Sequence, residues 1–281
     1  MGDKFLFANS EKEDADACIF GMPFDSTTSF KPGTRLGPRA IRDASYNLEF
    51  YSMALERSIG DIKIFDAGDT RFYTNPQHVI SEISERIREL SKSDKFIVGL
   101  GGEHTVSYGI VKALKEIYKD VAVIQFDAHA DLRTKYGFEK FSHACVMNLI
   151  GNDIGFENIY QFGIRSSDEE EQKFAEKTNF FPLHKYDTPQ ILEILDELNI
   201  DKKVYLTIDI DVLDPAYAPG VGTPEPGGIT SNDMFKILDS LKNFDIVGFD
   251  VVEVNPMIDV SGITAMTATK IIREGILSFV E

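Results

Sequence analysis

Apolar residues in this chain fall into short continuous runs separated by longer amphipathic stretches. Eight such runs, at residues 17–21, 62–67, 96–100, 121–126, 158–163, 180–183, 204–208 and 246–252, read as buried strands. Between several of them the apolar period lengthens to that of a helix. After Asn75-Pro76, a cap followed by a helix-starting proline, Val79, Ile80, Ile83, Ile87 and Leu90 share one face. Val106, Ile110, Leu114 and Ile117 form a second such face, and Ile191, Leu192, Leu195 and Leu198 a third behind Thr188-Pro189. Pro38 suits the first turn of an earlier helix, Ser231 the cap of a later one, and a last helix is expected over 262–279. Strand and helix alternate throughout, which predicts a parallel sheet covered on both faces, with an eight-stranded (β/α) barrel as the rival.

The polar residues that interrupt this pattern gather where strands end. The strand at 96–100 runs into Gly101-Gly102-Glu103-His104, where paired glycines allow close backbone approach. The strand at 121–126 runs into Asp127-Ala128-His129-Ala130-Asp131, and a continued extended chain would point all three polar side chains the same way. The strand at 204–208 is followed by Asp209 and Asp211, and the one at 246–252 by Glu253. In a parallel sheet these ends share one edge, the edge where open α/β sheets bind ligands. Carboxylates crowded there repel unless cations neutralise them. Carboxylate and imidazole donors together suit Mn, Fe or Zn, and a pair of such ions offers hydrolysis through activated water. His143, after a long loop, reads equally as a proton shuttle or as a helix-start histidine with no chemistry. Asp214-Pro215 reads as a structural turn, and His78 and His184 as surface or structural residues.

Composition narrows the functional classes. The chain has 281 residues, enough for one large α/β domain or two small ones, and no linker divides it, so a single domain over 1–281 is expected. A net charge of −17 argues against non-specific nucleic-acid binding; it suits a cationic substrate, or simply solubility. The two cysteines, Cys18 and Cys145, imply no disulfide framework. No apolar run approaches the ~20 residues of a membrane span, and no basic region with an apolar stretch opens the chain. A cytoplasmic protein without membrane association is expected.

The stretches Gly-Gly-Glu-His104, Asp127-Ala-His129-Ala-Asp131, Asp209-Ile-Asp211-Val-Leu-Asp214-Pro215 and Val252-Glu253-Val254-Asn255-Pro256 together resemble the ureohydrolase (arginase/agmatinase) family. The resemblance runs from Phe24-Asp25 to the last helix and is most like the agmatinases, notably over 31–42 and 141–147. Many members have glycine after the later histidine, where this chain has Ala144 and then Cys145. The resemblance implies a three-layer α/β/α fold around an eight-stranded parallel sheet, and so decides against the barrel. It implies two Mn²⁺ ions, one held by His104, Asp127, Asp131 and Asp209, the other by His129, Asp127, Asp209 and Asp211. It further implies that hydroxide attacks a guanidinium carbon, that Asp131 holds it and passes on its proton, that Glu253 pairs with the guanidinium, and that His143 shuttles protons. The expected reaction is agmatine and water to putrescine and urea, in polyamine synthesis. N1-aminopropylagmatine, guanidinobutyrate and arginine are the alternative substrates, and a non-catalytic metal-binding relative is the alternative of another class. The family's usual assembly implies a homo-oligomer, trimer or hexamer.

Overall fold

The computed structural model describes residues 4–91 and 95–280. Its strands are β1 (Ala17–Met22), β2 (Tyr51–Ser52), β3 (Arg57–Ser58), β4 (Ile64–Asp69), β5 (Phe96–Gly101), β6 (Val121–Phe126), β7 (Ile159–Phe162), β8 (Asn179–Phe181), β9 (Lys203–Asp209) and β10 (Ile246–Val252). The α-helices are α1 (Gly37–Ser45), α2 (Pro76–Leu90), α3 (Thr105–Tyr118), α4 (Val146–Ile154), α5 (Glu169–Ala175), α6 (Thr188–Glu197), α7 (Ser231–Ser240) and α8 (Ile263–Phe279).

Eight strands form one sheet in the order β4-β1-β5-β10-β9-β6-β7-β8, every neighbouring pair parallel. The sheet is open, with β4 and β8 at its edges, so it is no barrel. Each strand feeds side chains alternately to two cores, as the pleat requires. Along β6, Val121 and Val123 join Val79, Ile83 and Val106 from α2 and α3, while Ala122, Ile124 and Phe126 join Ile237, Ile271 and Ile276 from α7 and α8. Two cores on two faces of one sheet make three layers.

The order carries the functional consequence. After β5 the chain crosses to β6, builds outward through β7 and β8, and only then returns to fill the gap with β9 and β10. The four strands whose ends carry His104, Asp127, Asp209 and Glu253 are therefore consecutive at the centre of the sheet.

Several local expectations shift. The second strand starts at Ile64 rather than 62, and Thr230, not Ser231, caps α7 through a reciprocal bond with Asp233. The pattern gave no warning of the small β2-β3 hairpin, which carries no apolar alternation. Helix α5 was also unexpected, although Asp168 and Glu171 form a capping box at its start. The chain does not stay extended beyond Phe126: Asp131 has φ +52°, in the left-handed region.

Candidate metal centre and active site

The Gly-Gly-Glu-His stretch leaves β5 through a turn that only glycine fits. A Cβ on Gly102 would sit 2.1 Å from the carbonyl oxygen of Phe24. That close approach lets the Gly102 carbonyl accept the Glu253 N–H at 2.8 Å and the Glu103 N–H donate to Phe24 O at 2.7 Å. The His104 N–H donates to Glu253 Oε1 at 2.9 Å, so β5 and β10 present histidine and glutamate as one unit. Glu253, like Asp131, is held at positive φ, +66°. Non-glycine residues seldom adopt that backbone, and such strain of about 1–3 kcal/mol each gathers at functional sites.

The imidazole of His104 is oriented from behind. Thr207 on β9 donates its hydroxyl hydrogen to Asp250 Oδ1 at 2.7 Å, and Asp250 also accepts from Tyr205 Oη at 2.7 Å. The Thr207 oxygen can then only accept from His104 Nε2, 2.9 Å away. Nε2 carries a hydrogen, and Nδ1 is left facing forward. There it lies 3.0 Å from Asp127 Oδ2, 3.1 Å from Asp131 Oδ2 and 3.6 Å from Asp209 Oδ2.

Asp127 is set by amides. Gln161 donates to Gln125, and Gln125 donates to Asp127 Oδ2 at 2.7 Å. The other oxygen of Asp127 accepts the His129 N–H at 2.6 Å. His129 Nδ1 sits 3.0 Å from Asp211 Oδ2. Asp211 accepts the Ala128 N–H, and its own N–H donates to Asp209 Oδ1. Behind both segments lies Arg165, whose guanidinium donates to the carbonyls of Asp211 and Glu225 at 2.7 Å each. Its backbone N–H donates to Ala128 O.

Two groups of donors result: His104, Asp127 and Asp209, and Asp127, His129 and Asp211. Within each group the donor atoms lie within 4.8 Å of one another, and Asp127 belongs to both. Their electrostatics ask for cations. Burial and the Asp127 charge push Asp131 up to about 7. Burial, with Asp211 and Asp127 beside it, holds Asp209 well above the usual carboxylate range. Burial and Glu103 do the same to Glu253. Burial disfavours the His104 and His129 cations, yet the facing carboxylates win, raising His104 well above its ordinary value and His129 to about 12. So many acids in so dry a place call for positive charge, and the buried Nδ1 of His104 has no hydrogen bond of its own. A donor set of this chemistry fits divalent metal.

His129, Asp131, Asp209 and Glu253 open on one cavity of about 210 Å³, which Arg133 and His143 also line. The Nε2 of His143 is buried without a hydrogen-bond partner. Burial and the neighbouring His129 and His104 push it down to about 4. The structure thus brings all eight site residues expected from the sequence around one strand edge. Asp214 stands apart, accepting the N–H groups of Ala216, Gly227 and Gly228 as a turn residue. Thr207, Asp250 and Arg165 were missed. Asp250 had a signal, an acid inside an otherwise apolar strand; Thr207 and Arg165 had none.

The model of the arginase family matches residues 15–278 of this chain. The agmatinase of Bacillus subtilis (strain 168) is 44% identical, the alignment covering 100% of this chain and 97% of that protein. The N(1)-aminopropylagmatine ureohydrolase of Thermococcus kodakarensis is 36% identical, covering 96% of this chain and 92% of that protein. The crystal structure of the agmatine ureohydrolase of Thermoplasma volcanium superposes with a TM-score of 0.91 at 34% identity, covering 99% of this chain and 94% of that one.

Proposed function

The chain belongs to the arginase family, and from that premise we propose that it is a ureohydrolase that converts agmatine and water into putrescine and urea. The observation that carries this reading is Glu253, a carboxylate lining the same cavity as His129, Asp131 and Asp209 of the candidate metal centre. A guanidinium is a planar cation that a carboxylate meets through two hydrogen bonds.

Two Mn²⁺ ions are the cofactor in this reading. His104, Asp127, Asp131 and Asp209 would hold one, and His129, Asp127, Asp209 and Asp211 the other. When bound, such ions neutralise the crowded carboxylates and make water acidic enough to lose a proton near neutral pH. The chain's residues supply the rest. Glu253 fixes the guanidinium so that its carbon faces the nucleophile. Asp131, strained backbone included, holds the attacking oxygen and relays its proton to the leaving amine. His143 exchanges protons between that amine and the cavity, which its ring lines.

The tail of the substrate is cationic in this reading. Arg133 lines the cavity, but Asp168 pairs with it and Glu171 Oε2 lies 3.7 Å from its Nε. Two carboxylates about one guanidinium leave that wall no spare positive charge for a carboxylate tail. The same reading takes the protein as one domain over 1–281, a cytoplasmic homo-oligomer, trimer or hexamer, in polyamine synthesis. Among the described residues no helix is long and apolar enough to cross a membrane, and exposed Met53, Phe138 and Val260 offer apolar surface for assembly.

The test is urea release by Mn²⁺-loaded protein from agmatine, N1-aminopropylagmatine, guanidinobutyrate and arginine. Preference for agmatine is expected. Preference for another of the four moves the substrate and keeps the chemistry. No urea from any of them, with metal bound, overturns the reading.

A further inference from the structure

Glu103 is the one acid of the Gly-Gly-Glu-His stretch with no task in the proposed chemistry, and it is fully buried. Its two carboxylate oxygens are taken by one residue. The Thr27 N–H donates to Oε1 at 3.0 Å and the Thr27 hydroxyl to Oε2 at 2.5 Å. Having given its only hydrogen to Glu103, the Thr27 oxygen can act elsewhere only as an acceptor. It accepts the backbone N–H of His143 at 3.2 Å, across 116 residues of sequence.

Three consecutive residues therefore fix three parts of the site. The Gly102 carbonyl holds the Glu253 backbone, Glu103 holds Thr27, and His104 faces the metal-type carboxylates while its N–H holds the Glu253 carboxylate. The His143 ring lines the cavity with Nε2 lacking a hydrogen-bond partner, so the placement of its backbone decides where that nitrogen sits.

We infer that Thr27, locked by Glu103, is a positioning residue that sets His143 in register with the turn after β5 that carries His104. The inference rests on the reading of His143 as proton shuttle. A group that moves protons loses its effect steeply with displacement, and a shift of about 1 Å can cost on the order of a hundredfold.

The experiment compares Thr27→Val, Thr27→Ser, His143→Ala and the Thr27→Val/His143→Ala pair as Mn²⁺-loaded proteins. Bound metal is measured, with kcat and KM for urea release from agmatine. Thr27→Val should keep its metal and a KM within about twofold, and lose about tenfold or more in kcat. Thr27→Ser, which keeps the hydroxyl, should stay within about twofold of the parent. In the His143→Ala background the valine should cost less than about twofold, since what it misplaces is gone. A valine penalty undiminished in that background overturns the inference, as does parental kcat in Thr27→Val or a loss accounted for by missing metal. Thr27→Ala is read by the same criteria where Thr27→Val does not fold. A His143→Ala protein with parental kcat overturns the shuttle reading and this inference with it. A parent chain that releases no urea from any of the four guanidino compounds, with metal bound, overturns the proposed function itself.

Discussion

The carboxylate of Glu253 accepts the backbone N–H of His104 at 2.9 Å, so the end of β10 is tied to the end of β5 beside it. That bond takes one lone pair of Oε1 and leaves the second oxygen, the other lone pair of Oε1 and the charge for a ligand. Glu253→Gln keeps an acceptor for His104 and the same length, but removes the charge and turns the other oxygen into an NH₂ donor, which a guanidinium cannot use. It should keep the metal and lower kcat/KM for agmatine by about a hundredfold or more, taking ~1.5–3 kcal/mol for each charge-assisted bond. Steady-state kinetics beside metal analysis check it, and an unchanged kcat/KM rules out Glu253 as the guanidinium's partner.

Asp127 is the residue common to both donor groups. Asp127→Ala should bind fewer than one Mn²⁺ per chain and show almost no turnover. Removal of metal from the parent by chelation should lower its Tm, because ions that bind only the folded chain stabilise it by mass action. Two ions retained in Asp127→Ala, measured by elemental analysis, contradict the shared role.

Much of this site was legible because its chemistry sits at strand ends. Continuous apolar runs located the strands, and the polar residues just beyond them could then only lie on one edge. The sequence could not show that β9 and β10 fill the gap between β5 and β6, since strand order depends on packing far apart in the chain. The resemblance to a family supplied the open sheet where periodicity left a barrel in play. Supporting residues were the least legible. Thr207 is an ordinary strand threonine until Asp250 and His104 are found on either side of it. Arg165 looks like a surface cation until its guanidinium is seen to donate to the backbone carbonyls of Gly163, Asp211, Val212, Leu213 and Glu225.

Arg42 and Asp66 form a buried ion pair, Nε to Oδ2 at 2.8 Å, and Asp66 also accepts the Phe5 N–H at 2.7 Å. Arg42→Ala strands a carboxylate that is fully out of water. Breaking such a pair from one side costs about 3–5 kcal/mol. Denaturant unfolding of the metal-loaded protein should show a lower midpoint at unchanged slope. A change below about 1 kcal/mol would place the pair among the weak surface contacts instead.

Both thiols are buried and unpaired. Burial pushes Cys18 up to about 11 against the pull of Lys95, and burial with the Asp131 charge pushes Cys145 up to about 12. The reactive species is the thiolate, so at pH 8 roughly one part in a thousand of Cys18 and one in ten thousand of Cys145 is reactive. The folded protein should take up almost no iodoacetamide at pH 8, and the chain in denaturant should take up two equivalents. Raising the pH by one unit should speed the folded-state reaction about tenfold. Rapid labelling of Cys145 at pH 8 would show that the turn beside His143 opens.

Arg133 is bracketed by Asp168 and Glu171 on the wall of the cavity, and this pairing should govern the preferred charge of the substrate's tail. Asp168→Asn removes one of the two negative charges. Asparagine caps helices as well as aspartate does, so α5 should persist. Arg133 then has a share of its charge to offer, favouring a carboxylate tail over an ammonium one. Arg133 and Asp168 are both about one-third exposed, so solvent screens the effect. The ratio of kcat/KM for agmatine to that for guanidinobutyrate should fall by about three- to tenfold, chiefly through KM. Arg133→Met should move the ratio the other way, leaving two carboxylates without their cation. The two substrates share the guanidinium and a four-atom spacing of similar length, so the ratio isolates the tail. If neither substitution moves it, the tail is read elsewhere and Arg133 serves only to fasten α5 to the loop after Asp131.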